Sequence, residues 1–336
     1  GNSKFMHVDR ALVLDHDAQQ IFFIGEFDTA EKFEYWHHAA LLRIGVSGGE
    51  QAMYKLKNAA IEAQSSSVRH DDENYLRLIN EAQKYIAAGD VYQLCLTNQI
   101  SLKVSGDALH TFLKLRESNP APYSAYLRFG DLQIVSCSPE QFLKVTADGR
   151  LSSKPIKGTR PRGGNAAADA LAAEELKGNE KERAENLMIV DLMRNDFGMI
   201  CKSGSVEVTQ LLYSQDHPGL QHLVSDVEGD LVDGISWSDI FRAVSPPGSV
   251  SGAPKSSALS TISENENPRG PYCGALGWVK GDQAELSVAI RIFWKNEKLN
   301  FGTGAGITFS SDSLQEWEET ELKASRLVKI AGGQHR

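Results

Sequence analysis

The stretch KPIKGTRPR, residues 154–162, sets Lys157 between a β-branched residue and a glycine at the end of a strand-like segment. A small apolar residue would sit there more easily, so the lysine is either surface charge or an amine placed for chemistry. Two other stretches carry carboxylates at helical spacing. In NEKERAENLMIVDLMRND a stripe at spacing three or four runs Glu182, Glu185, Ile189, Leu192, Asp196, so two carboxylates lead into apolar positions on one face. Like charges one turn apart repel, more strongly when half buried, and a cation between them relieves this; a solvated helix start favoured by its dipole accounts for the same residues. In SLQEWEETELKASRLV the stripe is Glu316, Glu319, Lys323. There Ser313 and Glu316 also fit a capping box, and Glu319 with Lys323 fits a surface ion pair. Two E-x-x-E turns in one chain match the oxygen-rich setting of Mg²⁺, which takes one or two carboxylates directly and leaves positions for an anionic substrate.

NFGTGAGI places closely spaced glycines after a strand, which invites a nucleotide-binding module. No helix starts at once after it, no acidic residue ends a following strand at the expected distance, and there is no G-x-x-x-x-G-K-[ST]. The same glycines can present backbone N–H groups to a carboxylate.

The elements that must carry these residues belong to an ordinary globular chain of 336 residues, 41% apolar and 24% charged. A formal net charge of −9 and no clustered basic tract argue against a nucleic-acid or anionic-membrane partner, leaving a small molecule as the expected substrate. No apolar run approaches the roughly 18 residues of a membrane span and the first residues lack a signal-peptide core, so a cytoplasmic protein is expected. Cys95, Cys137, Cys201 and Cys273 lie far apart without C-x-x-C spacing and read as reduced thiols.

RALVLDHDAQQIFFIGEF reads as a hairpin and AEKFEYWHHAALLRI as a helix. Residues 62–72, EAQSSSVRHDD, are the linker candidate. DENYLRLINEAQKYIAAGD then reads as a helix with Tyr75, Ile79, Ala82 and Ile86 on one side and Gly89 as its stop. Strand-like segments follow, YQLCLTNQISLKV, SAYLRF, LQIVSCS, QHLVSDVEG, GALGWVKG, AELSVAIRIFW and KLNFGTGAG among them, several joined by short polar turns. That favours antiparallel pairing and an α+β architecture. Taken as strands, these segments put Lys157 on one face with Pro155 and Thr159 and turn Lys154 and Arg160 the other way, and they put Arg291 on the side of Ser287 and Ala289.

Taken together, PIKGTRPRG, ERAENLMIVDLMRND, LQHLVS, PPGSVSGAPK, RGPYCGALGW, LSVAIRIF, FGTGAGI and EWEETELKA resemble, in this order, the chorismate-utilising enzymes, whose members form anthranilate, aminodeoxychorismate, isochorismate or salicylate. The resemblance covers about residues 72–330, and the opening strand pair resembles the one that precedes that core. It implies a large two-sheet antiparallel β-sandwich flanked by helices, with residues 1–70 as the N-terminal part of the fold and 71–336 as the catalytic domain. Family members usually carry a further N-terminal segment, which holds the amino-acid regulatory site in anthranilate-forming members; it is missing from this sequence, and no expectation of feedback control comes with the resemblance.

The same resemblance implies Mg²⁺ between the glutamate pairs and the ring carboxylate of chorismate, with Glu185 and Glu319 as direct ligands and Glu182 and Glu316 alongside. Tyr272, Arg291, Lys323 and the Gly304–Ala305–Gly306 loop would hold the substrate's carboxylate end, Gly158 and Thr159 would line the ring, and His222 would act near the leaving C4 hydroxyl. Read from the residues alone, His222 is better taken as a satisfied core histidine, Arg291 fits a surface pair as well as a pocket, and the glycines fit turns.

Two positions sort the activities. Members that add water carry a lysine where this chain has Gln93, and an amide cannot act as a general base. Anthranilate-forming members usually read PIAGT, whereas aminodeoxychorismate-forming members read PIKGT, as here. The resemblance therefore implies that Lys157 adds to C2 of chorismate, that ammonia then adds at C4, and that 4-amino-4-deoxychorismate results. With an ordinary lysine pKa of about 10.4, such an amine needs burial or neighbouring cations. The sequence holds no G-x-C-x-G nucleophile elbow, so a glutamine amidotransferase subunit is expected as the ammonia source. Anthranilate formation is the second reading, and a catalytically silent binding subunit a third.

Overall fold

The computed structural model describes residues 3–46 and 63–333. The chain divides into two compact units, residues 1–60 and 61–336. In the first, β1 (Arg10–Asp15) and β2 (Gln20–Gly25) form an antiparallel hairpin, followed by α1 (Ala30–Val46). The Asp15 carboxylate closes the turn by accepting from the N–H groups of Asp17 and Ala18. Phe23, Phe27, Phe33 and Trp36 pack ring against ring between hairpin and helix.

The second unit opens with β3 (Ala63–Val68), α2 (Asp72–Ala88), β4 (Gln93–Val104), α3 (Ala108–Ser118), β5 (Tyr123–Phe129) and β6 (Leu132–Ser138). It continues through β7 (Gln141–Val145), β8 (Arg150–Lys154), β9 (Ile156–Pro161), α4 (Ala166–Gly178), α5 (Glu180–Gly198), β10 (Glu207–His217) and β11 (Leu220–Asp230). After α6 (Trp237–Val244) come β12 (Gly252–Ala253), α7 (Lys255–Asn265), β13 (Ala275–Lys280), β14 (Gln283–Val288), β15 (Ile292–Lys295), β16 (Leu299–Thr308) and α8 (Ser313–Ile330). All described pairings are antiparallel, in two seven-stranded sheets. One runs β12-β4-β16-β15-β6-β5 with β3 also on β4; the other runs β10-β11-β8-β7-β14-β13 with β9 also on β11. This is the two-sheet antiparallel α+β fold, flanked by helices, that the resemblance implies.

Local chemistry explains the helices. Asp71 caps α2 by accepting from the Asn74 N–H, and Gly89, at φ 85, closes it in the left-handed conformation that costs glycine least. Asn179 caps α5 by accepting from the Glu182 N–H, and Ile189, Val190, Met193 and Phe197 bury its inner face in the core over β7, β8 and β11. A second core, with Leu102, Val135, Phe293 and Phe301, lies under α3 and α8.

Three expectations change. The linker candidate, whose first residue lies outside the described residues, holds β3, paired with β4. Its three consecutive serines lie along a sheet edge, which carries no apolar signal to read. AELSVAIRIFW is not one strand: it splits into β14 of one sheet and β15 of the other. Arg291 sits in the break at φ 51, so the strand alternation that paired it with Ser287 and Ala289 does not apply. The Gly304–Gly306 loop is part of β16, hydrogen-bonded to β4.

At the far end of α5 a buried ion pair joins Asp196 to Lys255 at the start of α7, and the Lys255 ammonium also donates to the Val244 carbonyl at 2.9 Å. Burial pushes the Asp196 carboxyl up to about 6 against the pull of Lys255. Lys255→Met removes one member of the pair and is expected to cost about 3–5 kcal/mol in chemical denaturation, with part recovered in the Asp196→Asn, Lys255→Met double variant. Equal losses in the single and double variants would show that the pair contributes nothing as a pair.

Candidate active site

Lys157 and Thr159 are separated by a bulge. In the β9–β11 ladder Lys157 faces Leu223 and Thr159 faces His222, leaving Gly158, at φ 82, as the extra residue. The bulge undoes the expected alternation. Lys157 lies 3.8 Å from Glu185 and Arg160 2.8 Å from Glu182, so both basic side chains reach α5. Thr159 turns instead to His222, with Oγ1 and Nδ1 2.9 Å apart. Lys154 does point away, to Asp226. A side chain at 158 is disfavoured twice: by the positive φ, and because a Cβ there would lie 2.9 Å from Glu182 Oε2, which would have to move.

Each predicted carboxylate has a basic partner. Besides the two pairs with β9, Lys181 reaches across to Glu316 at 2.8 Å, and Lys323 pairs with Glu319 at 2.7 Å. Glu316 is 4% exposed and also accepts from the Ser311 hydroxyl. The two E-x-x-E turns share one electrostatic neighbourhood. Burial pushes the Glu185 carboxyl up, Lys157 and Lys181 pull it down, and Glu316 and Glu319 push it up again. Burial works against the Glu319 carboxylate too, but Lys323, Lys181 and Lys157 hold it below the usual range.

On the other side of these side chains is β16. β4 pairs with it as far as Thr308, whereas β15 pairs only over Leu299–Phe301, so no described strand covers the second edge of the glycine segment. Gly306 makes room for the Gln93 amide: a Cβ there would lie 2.6 Å from Gln93 Nε2, and Lys157 Nζ would be in ordinary contact with it at 3.5 Å. A Cβ at Gly302 would overlap the Tyr272 ring. Ala305 is buried, with its side chain in the core under α2. Lys323 donates to the Gly304 carbonyl at 3.1 Å, tying α8 to this strand. Lys157, Gln93, Gly306, the glutamates and Lys323 thus form one cluster, with the Tyr272 ring against Gly302 of the same strand.

His222 is 1% exposed, and burial, then Arg291 and His217, push its imidazole down to about 4, so it is neutral at pH 7. Its Nε2 is buried without a hydrogen-bond partner, as are Gln93 Oε1 and Glu182 Oε2. Buried polar atoms left unpaired are rare enough to need a reason, and a ligand supplies one.

Sequence reasoning missed Glu140. It is 4% exposed, and burial pushes its carboxyl up to about 7 against Ser249, Lys157, the Ile156 N–H and Arg291. The available signal was an acidic residue leading into QFLKV, a segment otherwise almost wholly buried. Lys181 and Arg160 were missed as partners of the glutamates because strand and helix periodicity give faces and not cross-element contacts.

A family model for chorismate binding enzymes matches residues 1–329. The chain belongs to this family. It is 38% identical over 328 residues to an aminodeoxychorismate synthase of Streptomyces pristinaespiralis, covering 95% of this chain and 46% of that protein. It is 39% identical over 262 residues to anthranilate synthase component 1 of Saccharolobus solfataricus, covering 77% of this chain and 62% of that protein. The crystal structure of anthranilate synthase component I from Streptococcus pneumoniae TIGR4 matches with a TM-score of 0.84 at 29% identity, over 96% of this chain and 72% of that one. This chorismate binding enzyme spans about half the length of the curated relatives it matches. No helix among its described residues is long and apolar enough to cross a membrane.

Whether the carboxylates suit Mg²⁺ can be judged from the donors. Among the described residues no three of His, Cys, Asp and Glu come close enough to hold a metal ion by themselves. Mg²⁺ does not need three: it commonly takes one or two carboxylates plus substrate oxygens and water. Hard oxygen donors from two crowded pairs, one of them with an unpartnered buried oxygen, fit that mode.

Glu140 gives a test independent of turnover. A carboxyl held up to about 7 favours the folded state while protonated; that stability is full below the ordinary carboxyl pKa and is lost as pH rises through 7. Between pH 4.5 and 8 the parent should lose roughly 3 kcal/mol that Glu140→Gln does not lose, measured by denaturation across pH. Parallel pH profiles for the two proteins would rule out the raised carboxyl.

Proposed function

We propose that this chain aminates chorismate at C4 in a Mg²⁺-dependent reaction, giving 4-amino-4-deoxychorismate for para-aminobenzoate and folate synthesis, with ammonia from a separate glutamine amidotransferase subunit. The observation that carries this is the place of the Lys157 amine, 14% exposed, against Glu185 and beside Gln93 and Gly306. It is a primary amine at the pocket wall, where the anthranilate-forming pattern has alanine. Gln93 beside it offers an amide in place of the base that water addition requires.

Lys157 would form a bond to C2 as both conjugated ring double bonds shift and the C4–O bond breaks, the hydroxide leaving as water with the proton shed by the amine. Ammonia would then bond to C4, both double bonds would shift back, and the C2–N bond would break to free the lysine. The neutral His222 would face the departing hydroxyl, and Glu140, with its carboxyl near 7, would exchange protons with the site around Lys157. Tyr272, Arg291 and the uncovered edge of β16 would hold the enolpyruvyl carboxylate. Gly158 and Thr159 would line the ring. Glu185 and Glu319 would hold Mg²⁺, with Glu182 and Glu316 alongside; bound there, the ion would neutralise the ring carboxylate.

Anthranilate formation is the second reading, supported by the 39% identity to an anthranilate synthase component. Incubation with chorismate, Mg²⁺ and ammonium separates the two: a product that keeps the enolpyruvyl group supports C4 amination, and an aromatic amine with released pyruvate refutes it. Lys157→Ala should lower aminodeoxychorismate formation by about a hundredfold or more while chorismate still binds, with residual product shifted toward direct attack at C2. An alanine variant that makes the same product at the parent rate would end the nucleophile assignment.

Metal dependence should follow the carboxylates. Glu185→Gln or Glu319→Gln should weaken Mg²⁺ binding at least about tenfold in calorimetry while the far-ultraviolet circular dichroism stays unchanged. Parental Mg²⁺ affinity in both variants would remove the metal from these residues.

A further inference from the structure

Two imidazoles meet at the end of the β10–β11 hairpin, and only His222 has a role so far. His217 closes β10 and pairs with Leu220 across a turn in which Gly219 takes φ 78. With Gln215 opposite His222, this register puts His217 and His222 on one face of the hairpin, a diagonal step apart. Their ring centroids are 5.0 Å apart at an interplanar angle of 65°, edge to face. On the other flank Thr159 Oγ1 lies 2.9 Å from His222 Nδ1. The catalytic candidate is therefore held between a hydroxyl on β9 and a ring on β10. The turn is fixed in its place: the Arg162 N–H donates to the Gly219 carbonyl at 3.0 Å, and the Arg162 guanidinium lies 3.8 Å from Asp216. The Nε2 atoms of both histidines are buried and unpartnered.

We propose that His217 is a positioning residue for His222: its ring fixes the plane of the His222 imidazole and shields it from water, so that the free Nε2 is presented to the substrate's departing hydroxyl. This rests on the role given to His222 above. One hydrogen bond at Nδ1 leaves an imidazole free to tilt, and a neighbouring ring removes that freedom. The groups facing the pair are Thr159 from β9, Arg291 from the break between β14 and β15, and Asp216 beside His217. Burial and then Arg291 hold the His217 ring below the usual histidine range, with Asp216 opposing, so neither ring adds a cation beside Arg291 at neutral pH.

The test uses His217→Ala, His217→Gln and His217→Phe in the full chain, with His222→Gln as reference. It reads kcat and KM for aminodeoxychorismate formation and the NMR titration of the His222 ring. In His217→Ala, kcat should fall about tenfold with KM within about twofold, and His222 should titrate closer to the ordinary histidine value because burial and the second ring are both lost. Glutamine, which keeps a polar end but no ring, should behave like alanine, and phenylalanine, which keeps the ring, should recover most of both readouts. Parental kcat with an unmoved His222 titration in the alanine or glutamine variant overturns the proposal. If His222→Gln itself turns over like the parent, the role of His222 fails and this proposal with it. If His222→Gln is crippled and the His217 variants are not, the positioning alone is refuted.

Discussion

Everything in the pocket hangs on how α5 is locked to β9. Asn186 is completely buried, and both ends of its amide are used: Oδ1 accepts from the Ser225 hydroxyl of β11, and Nδ2 donates to the Pro155 carbonyl just before β9. A buried amide left unpaired is costly, so this double contact fixes the rotation of the helix about its axis. Glu185 is the preceding residue and Glu182 lies one turn earlier, so both carboxylates are aimed at β9. Lys157 is two residues beyond the carbonyl that Asn186 holds. The bulge at Gly158 then brings Lys157 and Arg160 to the same side, where the glutamates are. Without the bulge, period-two alternation would separate them.

From that lock the ion pairs run on through the fold. β9 is joined to α5 by Arg160–Glu182 and Lys157–Glu185, α5 to α8 by Lys181–Glu316, and α8 to β16 by Lys323, which bonds both Glu319 and the Gly304 carbonyl. β9 and β16 belong to different sheets, yet the circuit closes because Lys157 Nζ would be 3.5 Å from a Cβ at Gly306. Exposed ion pairs contribute little stability, and buried ones roughly offset the cost of desolvating their charges. The value of this ring is geometric. It balances four carboxylates against four cations around one space and fixes the distance between two sheets that share no ladder there.

Periodicity and capping chemistry carry much of this fold. α2, with its aspartate start, its buried stripe and its glycine stop, is readable residue by residue, and so are the first hairpin and most strands. What could not be read are the departures from period. β3 is a serine-rich edge without alternation. β14 and β15 look continuous because both halves are apolar and the break at Arg291 carries no glycine or proline. The bulge reversed the reading of Arg160, since a single extra residue inverts every later side chain in a strand. The state of Glu140 was missed for another reason: a carboxyl becomes a titratable group near neutrality through burial, and burial belongs to the tertiary structure.

The break at Arg291 also shows where the fold stores strain. Arg291 at φ 51 and Cys273 at φ 65 hold left-handed backbone that costs a non-glycine residue about 1–2 kcal/mol each. Each is held by a backbone hydrogen bond: the Cys273 N–H donates to the Ala289 carbonyl at 2.9 Å, and the Cys137 N–H to the Arg291 carbonyl at 3.2 Å. The ladders on either side of Arg291, β14 with β7 and β15 with β6, over-determine it, so the chain can change sheets within three residues. A relaxed turn would need more chain. The strain at Arg291 is thus tied to the place where the chain crosses from one sheet to the other.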